Sequence, residues 1–237
     1  MTTGIDIYPL GDHAITLEFG NVINLPTNQK VVALFKHLQT NPFIGLVDLI
    51  PAYTTLTLVY DIAVINQHRA VHQTTYQWVE DLILRILQTN NLQYSFVGRT
   101  VKIPVCYHSS LAPDTEWLAH HHNLTVNEVI ELHTSTTYHV YMLGFLPGFP
   151  YMATVPEKIA TQRKSNPRKQ VAAGSVGIAG NQTGIYPFDS PGGWQLIGQT
   201  PLKNFDVEKM DPALLLPGDA VTFYAISLDE FNLQKQA

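Results

Sequence analysis

The sequence predicts an α+β fold in two parts, and three observations carry that prediction. Residues 1–98 alternate between strand-like and helix-like periods. Residues 111–134 carry a helical pair, and from Tyr138 onward Gly and Pro punctuate short apolar runs. The division drawn from these signals is an α+β domain over 1–98 and a β-rich domain over 99–237.

In "AITLEF" the residues Ile15, Leu17 and Phe19 share one face while Thr16 and Glu18 take the other, the period of a half-buried strand. "PTNQKVVALFKHLQT" follows, with Val31, Leu34, Phe35 and Leu38 at i, i+3, i+4 and i+7, a helix stripe. "LVDLIPAYTTLTLVYD" supplies two short strands around the turn-prone Pro51-Ala52. A second helix lies in "TTYQWVEDLILRILQ", where Trp78, Leu82 and Ile86 repeat every four residues and Thr74 to Gln77 has capping-box spacing. "FVGRTVKIPVCY" closes the region with alternating Val101, Ile103, Val105 and Tyr107. Strand, helix, strand, strand, helix, strand is the split βαβ, ferredoxin-like plan, with helices on one face of an antiparallel sheet.

Within 111–134 the second helix starts at "LTVNEV". Thr125 and Glu128 have capping-box spacing, and Leu124 and Val129 take the staple positions. Beyond it, "PGF", "NPR", "SPGG" and "LPGD" mark the turns of a closed or folded β-structure.

Composition narrows the function classes. The chain has 237 residues, 45% hydrophobic and only 14% charged, with a formal net charge of −5. That balance offers no basic field for nucleic acid or an anionic membrane. The N-terminus lacks the basic start and apolar core of a signal peptide, and no apolar run approaches the roughly 20 residues that span a bilayer. The lone Cys106 excludes an intrachain disulfide. The expectation is a soluble cytoplasmic protein.

Four segments hold candidate chemistry. Residues 171–200 contain seven of the fifteen glycines and a single charged side chain, Asp189. Gly174, Gly177 and Gly180 give GxxGxxG, which differs from the dinucleotide fingerprint, and no GxxxxGK[ST] occurs in the chain. The glycines serve either tight turns and bulges or close approach of backbone to a ligand. Gln182, Thr183 and Tyr186 beside them are neutral groups suited to an amide or carboxylate, with Trp194 eight residues on. "GFLPGFPYM" is either a core-covering loop or the rim of a pocket or contact. "ATQRKSNPRKQ" places Arg163, Lys164, Arg168 and Lys169 within seven positions, either a solvated loop or a bidentate anion site. Among the histidines, the run 120–122 spreads over different helix faces and makes a poor metal site. His133 can serve as an acid or base, or bond its own helix end. No GxSxG elbow is present, and Cys106 in a strand reads as packing.

Three blocks together, "ELHTSTTYHVYMLGFLPGFPYM", "AAGSVGIAGNQTGIYPFDSPGGWQLIGQTP" and "LLLPGDAVTF", resemble the allophanate hydrolase subunit 1 family. Its members include KipI and the B-type subunit of the bacterial ATP-dependent 5-oxoprolinase. The resemblance implies a ferredoxin-like N-terminal domain followed by a cyclophilin-like β-barrel domain. It also implies partners: a second cyclophilin-like chain, the C-type subunit of 5-oxoprolinase (allophanate hydrolase subunit 2), and a separate A-type subunit. The implied activity is ATP-dependent opening of 5-oxo-L-proline to glutamate, with ATP, and magnesium with it, shared with the partner. Departures from the family pattern are Gln162 in "TQR", Ala172 in "VAAG" and Thr136 in "HTSTTY", where proline is usual at each. His133, Tyr138, Arg163 and Arg168 stand in the matching blocks as catalytic candidates; Gly180, Gln182, Thr183 and Tyr186 stand there as substrate-binding candidates. No metal ligands are expected of this chain. Two other readings follow from the same family: a KipI-type inhibitor of a sensor histidine kinase, using "GFLPGFPYM" as contact surface, and a component of urea or allophanate metabolism. Prolyl isomerisation by the barrel would rest on fold analogy alone.

Overall fold

The computed structural model describes residues 4–89 and 98–236. The chain divides into two compact units, Met1–Val97 and Gly98–Ala237.

The first unit holds β1 (Asp6–Pro9), β2 (Ala14–Glu18), α1 (Leu25–Thr40), β3 (Leu46–Pro51), β4 (Thr55–Tyr60), α2 (Ile62–Asn66) and α3 (Thr75–Thr89). Its sheet has the order β1-β2-β4-β3, every pair antiparallel. One face of the two central strands, Ile15 and Leu17 with Leu56 and Leu58, packs in a single cluster with Val31, Leu34 and Leu38 of α1 and with Val79 and Ile83 of α3. The α1 stripe is where its spacing puts it. In α3 the fully buried positions are Val79 and Ile83, while Trp78 and Ile86 sit half-buried at the flank. The box at Thr74 and Gln77 forms: the Gln77 amide donates to Thr74 Oγ1 at 3.1 Å and the Thr74 amide to Gln77 Oε1 at 2.9 Å. Thr16, expected on an outer face, is itself 5% exposed and shares a hydroxyl hydrogen bond of 2.9 Å with Thr57 across the sheet.

The second unit holds β5 (Thr100–Cys106), α4 (Thr115–His121), α5 (Val126–Thr134), β6 (Thr137–Leu143), β7 (Pro150–Ala153), β8 (Arg168–Val171), β9 (Ser175–Ala179), β10 (Gln182–Ile185), β11 (Ser190–Gly192), β12 (Gln195–Gln199), β13 (Ala220–Ile226) and α6 (Leu228–Lys235). Seven strands close into a barrel in the order β10-β7-β6-β13-β5-β12-β9, and β8 and β11 form a separate two-stranded ribbon. A sheet closed on itself has no edge strand left to pair.

One expectation is corrected here. The alternating strand over Val101–Tyr107 exists, but as β5 it pairs in parallel with β13 and antiparallel with β12, inside the barrel. Phe96 and Val97, at the start of that stretch, lie outside the described residues. In the first unit the edge position beside β2 is taken by β1. The capping box of α5 is present on both sides, Thr125 with Glu128.

Gly174, just before β9, bonds to the chain beyond both neighbouring strands, β10 and β12. Its φ of +81° lies in the left-handed region. Its amide donates to the Tyr186 carbonyl at 2.7 Å while its carbonyl accepts from the Thr200 amide at 2.9 Å. A β-carbon at this position would drive into the Thr200 carbonyl oxygen, which is backbone and cannot swing away. Gly174→Ala is therefore expected to destabilise the barrel unit by about 2–4 kcal/mol through strain and overpacking, read as a lowered urea midpoint with unchanged m-value.

Candidate functional site

A pocket of about 200 Å³ opens beside the ribbon, lined by Phe145, Phe149 and Tyr151, by Tyr186 and Trp194, and by Arg163. Its aromatic walls support one another edge to face. Phe149 meets Tyr186 and Trp194 with centroids 5.3 Å apart in each case and interplanar angles of 83° and 85°. The "GFLPGFPYM" loop is thus the rim of this pocket. Gly192 has a specific task in it, because a β-carbon there would strike the Tyr186 hydroxyl. Burial pushes the Tyr186 phenol up, against the opposing effects of the Trp194 backbone amide that it accepts from and of nearby Arg163. The phenol stays protonated, and its O–H is a donor this wall can offer.

Arg163 closes the pocket. Its guanidinium lies over the Trp194 ring, 5.7 Å from the centroid, and among the described residues it makes no ion pair. The loop carrying it is held by three sets of contacts. The Lys164 amide donates to the Gly193 carbonyl at 2.7 Å, and Gln195 Nε2 donates to the Gln162 carbonyl at 3.0 Å. The third is an ionic cluster on Asp114, whose carboxylate accepts from Arg168 Nη2 at 2.6 Å, from Lys164 Nζ at 3.2 Å and from the Leu196 amide at 2.7 Å. Burial pushes the Asp114 carboxyl up, but the Arg168 bond, the Leu196 amide and Lys164 together outweigh it and hold the group below the usual carboxylate range.

The eight candidates from the sequence fall in three places. Arg163 and Tyr186 line the aromatic pocket, and Arg168 stands behind it on Asp114. Gly180 and Gln182 sit at the tip of the β9–β10 hairpin, where Gly180 bridges to Thr161. His133, Tyr138 and Thr183 are fully buried in the barrel core, away from the aromatic pocket.

His133 stacks on Phe223 with centroids 4.5 Å apart, and its carbonyl accepts from Tyr138 Oη at 3.1 Å. Tyr107 Oη lies 2.7 Å from Nδ1 and Thr183 Oγ1 lies 3.3 Å from Nε2. Thr183 donates its own proton to the Gly177 carbonyl at 3.0 Å. A neutral ring protonated on Nε2 satisfies every member: Tyr107 donates to Nδ1, and Nε2–H donates to Thr183. Burial lowers the His133 pKa to about 3, so the ring holds no charge at neutral pH.

Sequence reasoning missed Asp114. Within "PDTEW" it looks like an ordinary helix cap, yet its side chain makes no capping bond to α4. Among the described residues no group of His, Cys, Asp or Glu could hold a metal ion, and no helix is long and apolar enough to cross a membrane.

The model of the carboxyltransferase domain, subdomain C and D, matches residues 5–215. The chain belongs to this family. Among its relatives, the 5-oxoprolinase B subunit of Bacillus subtilis (strain 168) is 42% identical over 241 residues, covering 100% of this chain and 99% of that one. The 5-oxoprolinase B subunit of Escherichia coli O157:H7 is 38% identical, covering 91% of this chain and 94% of that one. The crystal structure of TTHA0988 superposes with a TM-score of 0.77 at 36% identity; it covers 90% of this chain, which spans 40% of that one. The aromatic pocket and its basic loop lie within the span matched to the family.

Two outcomes are expected. Asp114→Asn removes the counter-charge of a largely buried pair and is expected to cost about 2–3 kcal/mol in urea unfolding, less than a fully buried pair because Arg168 and Lys164 are 25% and 32% exposed. For His133 the folded pKa lies below the unfolded value of 6.5, so only the unfolded chain takes up the proton between about pH 3 and that value. Stability is full above pH 6.5 and falls toward acid at up to about 1.4 kcal/mol per pH unit. Between pH 7 and pH 5 the unmodified chain is expected to lose about 2 kcal/mol more than His133→Gln, measured by urea unfolding at both pH values.

Proposed function

We propose that this chain is the B-type subunit of an ATP-dependent 5-oxoprolinase, acting on the cyclic amide 5-oxo-L-proline in the cytoplasm together with A-type and C-type partner chains. The observation that carries the reading is a small aromatic pocket closed by one guanidinium that has no carboxylate partner among the described residues, in a chain with full-length relatives named as 5-oxoprolinase B subunits. In the same reading the closed barrel is a cyclophilin-like domain. The first unit is a ferredoxin-like module whose fourth strand position is occupied by β1.

The chemistry follows from what an unactivated lactam requires. Transfer of the γ-phosphoryl group to the lactam oxygen releases ADP and makes the ring carbon electrophilic. Water adds to that carbon, the ring C–N bond breaks with nitrogen taking the proton, and a second water frees phosphate from the acyl phosphate to leave glutamate. In this scheme Tyr186 O–H orients the lactam oxygen and the aromatic walls exclude bulk water. Arg163 neutralises charge on the transferring group, while Arg168 and Lys164 position its loop through Asp114. Magnesium travels with the nucleotide, shared with the partner.

In the complex reconstituted from all three chains, ATP hydrolysis should depend on 5-oxoproline and yield glutamate. Arg163→Ala is expected to lower kcat about 100-fold, with Arg163→Lys recovering part of it. Full activity of Arg163→Ala would remove the assignment.

A further inference from the structure

On the other side of Arg163 lies a second, larger cleft of about 730 Å³, lined by Trp117, His121, Thr161, Arg163, Lys164 and Gln195 among others. Trp117 and His121 are one helical turn apart on α4, and their rings stack with centroids 5.0 Å apart and planes at 11°. Trp117 is 51% exposed, so the stack presents an indole surface to solvent, backed by the imidazole. Exposed tryptophan beside two cations is an unusual surface for a chain with so little charge.

Gln195 adds a polar group to this wall. It is 3% exposed; Nε2 donates to the Gln162 carbonyl at 3.0 Å, and Oε1 has no hydrogen-bond partner among the described residues. The Gln162 carbonyl fixes the amide orientation, because a flipped amide would bring two acceptors together. A buried acceptor without a donor calls for one from outside the chain. The two cations complete the pattern. Lys164 shares Asp114 with Arg168, whereas Arg163 lines both clefts.

We infer that this cleft binds the purine nucleotide, with the base stacked on the Trp117 indole that His121 backs, an exocyclic or ring N–H donated toward Gln195, and the phosphates running across Lys164 to Arg163. The inference rests on the 5-oxoprolinase reading for its choice of ATP. Its own content is that base and phosphates are held by this chain, and that Arg163 is the point where the terminal phosphate meets the lactam in the smaller pocket. A planar base suits the exposed indole, and each base–aromatic stack contributes substantially to binding.

Two measurements test this. In the reconstituted complex, Trp117→Leu is expected to raise the KM for ATP about 10- to 100-fold while the KM for 5-oxoproline stays within about twofold. Trp117→Phe should recover most of that loss. Independently, ADP added to the isolated full chain should quench tryptophan fluorescence, and the quench should vanish in Trp117→Leu although Trp78 and Trp194 remain. An unchanged KM for ATP in an active complex would overturn the nucleotide cleft and leave the 5-oxoprolinase reading standing. A complex without 5-oxoproline-dependent hydrolysis would sink that reading instead, and the cleft would then stand or fall on the ADP quench. His121→Ala, a surface change, should weaken ADP binding severalfold and guards against a folding defect in the tryptophan variant.

Discussion

One buried carboxylate organises the functional face of the barrel. Asp114 gathers the Leu196 amide from β12 and two cations from the basic loop onto its lone pairs. Two cations on one carboxylate leave a local excess of positive charge, and Arg163 adds to it with no ion pair among the described residues. The arrangement solves a problem set by low overall charge: the basic side chains of one short loop would repel one another and wave in solvent unless something buried held two of them. Arg163 is an exposed side chain in the same loop as these two anchored cations. Its guanidinium lies over the Trp194 face, 5.7 Å from the ring centroid.

The glycine-rich segment does two separate jobs that share one sequence. Gly174 joins the chain after β10 to the chain after β12 at a φ that a side chain resists. Gly192 makes room for a phenol in the pocket wall. Both follow from the absence of a β-carbon, yet only the second touches the candidate site. Similarly, Thr183 and Tyr186 are close in sequence but serve different ends: Thr183 relays a hydrogen bond from His133 to Gly177 inside the core, while Tyr186 faces the pocket.

That division marks the limit of what the sequence could convey. Local signals were readable: the α1 stripe, the boxes at Thr74 and Thr125, and the alternation over β5 are all encoded within a few residues. The partners of β5 were not, because alternation reports a buried face and says nothing about which strands lie alongside. Strands β9 and β12 are buried at every position, so the two-residue period that separates inward from outward side chains is lost there. In β10 and just after it the run Thr183–Tyr186 is likewise buried at every position, so Thr183 and Tyr186 read alike as polar groups in an apolar block. Arg163, Arg168 and the aromatic loop were legible as chemistry, but Asp114 was not. A lone aspartate ahead of a helix reads as a cap, and only the fold brings it opposite two cations 50 and 54 residues away.

Charge distribution explains how an acidic chain can present a locally basic cleft. The net charge is −5 over 237 residues, and at physiological ionic strength a charge is screened over about 8 Å. The global excess of acid is therefore not felt in the cleft, where the nearest charges are Arg163, Lys164, Arg168 and one carboxylate. The aromatic walls on both sides lower the local dielectric and lengthen the reach of those charges. Because Arg163 lines both clefts, an anionic group bound in one changes the field in the other. In the proposed reaction, the phosphoryl group and the lactam oxygen that takes it up would share that one guanidinium.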